Sequence, residues 1–106
     1  MSENIIIDKV KVTFVFTGYG YITLTDKALV WNKSATSYLA FGAANALTVS
    51  HLYLPISDIS EVGTYTYFPG GGLLLKDREL KVYKFSFKHK KEFKLVYEYL
   101  RKRVQG

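Results

Sequence analysis

Lys88, His89, Lys90 and Lys91 are four consecutive residues able to carry positive charge, placed just before an amphipathic segment. If a helix begins there, these cations stand against the positive end of its dipole, a clash of roughly 0.3–1 kcal/mol each that a bound anion would relieve. Free backbone N–H groups at a helix start also favour phosphate. The chemistry this run suggests is therefore anion binding, and a hydrated surface run is the competing reading.

Other reactive side chains form no recognisable constellation. His51 and His89 have no partner at metal-ligand spacing, and the chain holds no cysteine, which rules out thiolate metal sites, disulfides and a cysteine nucleophile. Asp58 and Glu61, like Asp77 and Glu79, lie in turn-rich stretches with no nucleophile or base beside them, so turn and cap roles suit them better than acid–base catalysis. Gly70-Gly71-Gly72 lacks the lysine and hydroxyl of a phosphate loop and precedes a strand. No catalytic residues and no cofactor are expected.

The elements that must position these residues follow from periodicity. Tyr83, Phe85 and Phe87 alternate with Val82, Lys84 and Ser86, the pattern of a half-buried strand. Beyond Lys88 the period lengthens, and Phe93, Val96, Tyr97, Leu100 and Val104 form one apolar helical stripe. Upstream, Ile5 to Phe16 alternates with a phase slip near Asp8 and Lys9 that predicts a bulge. Thr17-Gly18-Tyr19-Gly20 makes a tight hairpin into a second strand carrying Ile22 and Leu24. Ala28 to Asn32 reads as a third strand. Leu52, Leu54 and Ile56 form a fourth, which Pro55 confines to an edge. A Tyr/Thr strand follows Ile59 and Val62, and Leu73 to Lys76 is the sixth. The fold class is mainly β, α+β by content: a seven-stranded barrel or sandwich capped by one C-terminal helix, a single domain over residues 1–106.

Charge is distributed unevenly. Residues 1–75 hold four Lys/Arg against five Asp/Glu, whereas residues 76–106 hold eleven against four. The basic C-terminal third suits an acidic partner. From Ser34 to Ser57 there is no charge at all, and Tyr38, Leu39, Phe41 and Leu47 punctuate a run of small residues. That insert either packs on the protein's own β surface or serves as a subunit interface or an interfacial membrane contact. It is too often interrupted by Ser, Thr and Asn to span a bilayer. The N-terminus has no signal-peptide or transit-peptide pattern, so a cytoplasmic protein is expected, with the inner face of the membrane as a peripheral location.

Three segments together resemble the pleckstrin-homology (PH) superfold, and within it the GRAM-like and bacterial PH-like domains. They are Tyr21-Ile22-Thr23-Leu24-Thr25-Asp26-Lys27-Ala28-Leu29-Val30-Trp31, Leu54-Pro55-Ile56-Ser57-Asp58-Ile59-Ser60-Glu61-Val62, and Tyr83-Lys84-Phe85-Ser86-Phe87. The resemblance implies a non-catalytic module that binds proteins, membranes or phosphoinositides. The chain departs from phosphoinositide-binding relatives in its first hairpin, where Thr17 to Gly20 carries no charge. The leading expectation is a protein-interaction or scaffold module, with a protein partner or self-association through the uncharged insert or a strand edge. The alternative is peripheral binding to anionic membrane lipid through Lys88, His89, Lys90 and Lys91. Nucleic acid ranks last, because the aromatics are better used as core, and no small-molecule substrate is expected.

Overall fold

The computed structural model describes residues 3–15, 17–34 and 51–105. Its strands are β1 (Ile5–Phe14), β2 (Gly18–Thr25), β3 (Ala28–Lys33), β4 (His51–Pro55), β5 (Ile59–Tyr65), β6 (Gly71–Asp77) and β7 (Val82–Phe87). A single 3-10 turn (Ile56–Asp58) joins β4 to β5, and helix α1 (Lys90–Gln105) ends the fold. All seven strands pair antiparallel in one sheet of order β4-β3-β2-β1-β7-β6-β5. The number of strands and the terminal helix stand as the sequence predicts, but Ile56, expected in the fourth strand, opens the 3-10 turn, and the fifth strand already begins at Ile59. Hydrogen bonding does not close the sheet into a barrel: among the described residues β4 and β5 are its two ends.

Alternation sets the two faces. Val10 and Val12 on β1, Ile22 and Leu24 on β2, Leu73 and Leu75 on β6, and Tyr83, Phe85 and Phe87 on β7 all point inward and are buried. Phe14 packs edge-on against Trp31, 5.0 Å between ring centres, and lies 4.6 Å from Phe85. Over this layer α1 lays its apolar stripe. Val96 and Leu100 are fully buried, while Phe93, Tyr97 and Val104 pack at the margin. Each fully buried Val, Leu or Phe contributes about 1.5–3 kcal/mol, so the stripe is what fixes the helix to the sheet. Lys94, Glu98, Arg101 and Lys102 stay exposed, as the period requires.

Two local irregularities matched their sequence signals. The register of β1 against β2 shifts between Ile5 and Ile7 and again between Ile7 and Val10, with Lys9 at φ 53°. Thr23 donates its hydroxyl to Asp8 across this bulge at 2.7 Å. Pro55 pairs with Ala28 on an end strand, the position its missing N–H demands.

The β5–β6 connection is fixed by glycine packing. A side chain at Gly70 would overlap the Phe87 carbonyl and crowd the His89 N–H. At Gly71, with φ at +154°, a Cβ would meet the Phe93 ring at 2.5–2.8 Å. The connection is thereby seated directly on the junction between β7 and α1. Residues 68–70 consequently share one end of the molecule with the basic run.

Candidate functional site

Residues that alternate with the core positions share the sheet face turned away from α1. On it Lys11 lies opposite Tyr21, Tyr21 opposite Asn32, and Asn32 opposite His51. Thr13 lies opposite both Tyr19 and Ser86. Where β1, β2 and the end of β7 meet the residues before β6, a cleft of about 380 Å³ opens, lined among others by Lys11, Thr13, Tyr19, Tyr21, Tyr67 and Lys88. Among the described residues that line it, two are cations and none is an acid.

Neighbouring contacts hold the floor. The Tyr65 hydroxyl and Ser86 Oγ are 2.7 Å apart, and Lys84 lies over the Tyr65 ring at 5.7 Å. Burial is the main reason the Tyr65 hydroxyl titrates above the ordinary phenol range. At the far end of the face, His51 Nδ1 lies 2.7 Å from Asn32 Oδ1, close enough for the ring N–H to donate. Lys11 and Lys88 form no ion pair among the described residues, where the Lys76–Glu61 bridge, at 3.4 Å, is a surface contact elsewhere. Two unpaired cations facing one concavity give it a positive potential that low-dielectric walls focus.

The structure divides the basic run that the sequence singled out. Lys88 lines the cleft. The His89 carbonyl accepts the Phe93 N–H at 3.1 Å, opening the helix, and Lys90 and Lys91 form its first turn with Glu92. All four of Lys88, His89, Lys90 and Lys91 are exposed. The proposed interface residues Tyr38, Leu39, Phe41 and Leu47 lie outside the described residues. Lys11, Tyr19, Tyr21 and Tyr67 were not singled out as a site from the sequence. The available signal was parity: Lys11, Tyr19 and Tyr21 occupy the solvent phase of strands whose other phase is core. Knowing that Lys11 and Lys88 share a cleft required the pairing of β1 with β7, which no local pattern announces.

Among the described residues no group of three or more His, Asp or Glu could hold a metal ion, and no helix is long and apolar enough to cross a membrane. No protein-family model and no curated protein matches the chain. In structure it is similar to the C-terminal domain of an unknown protein from Leishmania infantum, with a TM-score of 0.68 at 12% sequence identity, covering 98% of this chain and 86% of that one. That likeness is one of fold.

Proposed function

We propose that this chain is a non-catalytic binding module of the PH-like or GRAM-like kind, and that it takes a phosphate-bearing anion in the cleft between Lys11 and Lys88. The observation that carries the reading is that these two lysines, without a carboxylate among the described lining residues, line one concave surface together with Thr13, Tyr19, Tyr21 and Tyr67. Lysine acts toward phosphate as a mobile point charge, and neighbouring hydroxyls supply the directional hydrogen bonds. No general acid–base pair is part of this arrangement, so binding rather than turnover is its use. The PH-like assignment rests on the three sequence segments described above together with the strand order, and it favours a location at the cytoplasmic face of a membrane.

The test is an NMR titration of the full chain with tripolyphosphate. Saturable shifts in the amides of Lys11 to Thr13 and Ser86 to Lys88 are expected. The paired variant Lys11→Glu with Lys88→Glu should weaken binding at least tenfold, because each reversal replaces attraction by repulsion. Shifts that never saturate, or that centre on Arg101 to Arg103, would overturn the reading.

A protein partner is the second reading, and one observation favours it. Among the described residues nothing pairs with the outer edge of β4, where Tyr53 is half exposed. An open edge is a place where a partner's strand can add. Light scattering on the chromatographed chain tests self-association there, and a strict monomer over the working concentration range removes that form of it.

A further inference from the structure

Phe68 is the most exposed large apolar side chain among the described residues, at 89% of its full accessibility. It lies between Tyr67, which is 41% exposed and lines the cleft, and Pro69, also exposed. The packing of Gly70 on the Phe87 carbonyl and the His89 N–H places this aromatic turn beside Lys88 and the first turn of α1. One end of the molecule thus combines a projecting Phe, a Tyr at its base, the cleft lysines, and Lys90 and Lys91, with Glu92 the acid of that helical turn. Cations sharing one end of the molecule with an apolar projection match a bilayer with acidic headgroups: the apolar tip enters the acyl boundary while the cations remain among the headgroups. Tyrosine, apolar at the ring and polar at the tip, suits the level between them.

Leu80 and the Ile5–Ile6 pair lack this setting. Leu80, 73% exposed, stands among Arg78, Lys81 and the acids Asp77 and Glu79, a mixed surface with no preference for an acidic membrane. Ile5 and Ile6 adjoin Glu3 and Asp8.

We infer that the Phe68 turn is a membrane-inserting wedge, and that the anion of the Lys11–Lys88 cleft is the headgroup of an acidic lipid in the same bilayer. This rests on the anion-binding reading of the cleft and adds the source of the anion. Phe68 leaves water for the acyl boundary as the headgroup enters the cleft, so the two contacts reinforce each other. Neither requires the protein to change shape.

The experiment is co-sedimentation of the full chain with phosphatidylcholine vesicles containing phosphatidylserine, alongside the tripolyphosphate titration. The Phe68→Ala variant is expected to keep its unfolding midpoint and its tripolyphosphate affinity while losing vesicle affinity by roughly 10- to 100-fold. Leu80→Ala should bind vesicles as the unsubstituted chain does. A Phe68→Trp variant, read against the buried Trp31 of the parent, should shift its emission to the blue on vesicles and be quenched by brominated acyl chains. Equal vesicle binding by Phe68→Ala, an equal loss in Leu80→Ala, or an unmoved Phe68→Trp spectrum overturns the wedge. A chain that binds tripolyphosphate but not vesicles overturns the wedge and leaves the anion site standing. Binding of neither overturns both.

Discussion

The turns at the two ends of β6 each hold a large apolar side chain in water, Phe68 before it and Leu80 after it, over foundations of opposite kinds. Beneath Leu80 the Asp77 carboxylate accepts the N–H groups of Glu79 and Lys81, both at 2.9 Å, and the Tyr83 hydroxyl at 2.9 Å. The backbone closes around it, with Asp77 and Lys81 bonded N–H to carbonyl at 3.0 Å and Leu80 to Asp77 at 3.0 Å. That closure sets Leu80 at φ 70°, in the left-handed region. The Lys81 N–H holds the Asp77 carboxyl below the ordinary range, with the Tyr83 hydroxyl and the Glu79 N–H adding to it against the opposing effect of burial. Burial, then Asp77, pushes Tyr83 up to about 12. Beneath Phe68 lie glycines pressed against the β7–α1 junction. The exposure of Leu80 is a by-product of how its turn is closed. Phe68, by contrast, is not at a positive φ. An exposed hydrophobe is informative only after the geometry of its own turn has been subtracted.

Three substitutions sharpen this contrast. The largest expected effect is at Gly71→Ala, where a methyl group meets the Phe93 ring from a backbone conformation that L residues avoid. A loss of roughly 1–3 kcal/mol in urea unfolding follows from strain and overpacking. An unchanged midpoint would mean that the glycines do not seat the Phe68 turn.

Next comes Asp77→Asn, read across pH. A carboxyl whose folded pKa is depressed contributes stability above its unfolded pKa of about 4, and that contribution is lost as pH falls through the lower folded value. The unsubstituted chain should therefore lose stability below about pH 4, and Asp77→Asn should flatten part of that decline. A remainder is expected from Glu3, whose carboxyl is also held low, first by the Thr25 hydroxyl at 2.5 Å and then by Tyr53 at 2.6 Å. Superimposable acid profiles for parent and variant would show that the carboxylate does not organise its turn.

The smallest effect, and one of opposite sign, is at Leu80→Gly. Relief of the left-handed conformation, about 1–2 kcal/mol, outweighs the added chain entropy of glycine, about 0.5–1 kcal/mol, for a net gain of about 1 kcal/mol in the same unfolding measurement. Destabilisation would break the contrast by showing that the Leu80 side chain contributes to the fold.

Local chemistry carried most of the architecture. The change of period after Lys88 placed the last strand and α1, the phase slip at Asp8 and Lys9 marked the bulge, and Pro55 marked the edge. These features depend on neighbours within a few residues. Strand ends moved modestly: β6 begins at Gly71, two residues before the apolar run, because glycine pairs as well as any residue while offering no side chain to a pattern. The site was less legible. The sequence pointed to Lys88 through charge clustering, but its partner Lys11 is a single charge on a strand 77 residues away, brought close only by the ladder between Val12–Phe14 and Phe85–Phe87. Phe68 was hidden for another reason. In a chain with 16 Phe, Tyr and Trp per hundred residues, one more phenylalanine beside a proline reads as core or turn, and only its accessibility sets it apart.

The open sheet has a dynamic consequence. Its ends, β4 and β5, are continuous through the 3-10 turn, whose Ile56 N–H is bonded to the Lys27 carbonyl at 2.8 Å. Beside that connection the last turn of α1 ties two elements together, with Arg103 Nη1 donating to the Asp26 carbonyl at 2.8 Å and Gln105 Nε2 to the Val62 carbonyl at 3.3 Å. The tie through the strand connection is backbone and the tie through the helix end is side chain, so undocking the last turn of α1 would leave every strand pair intact, the kind of local opening that costs less than global unfolding.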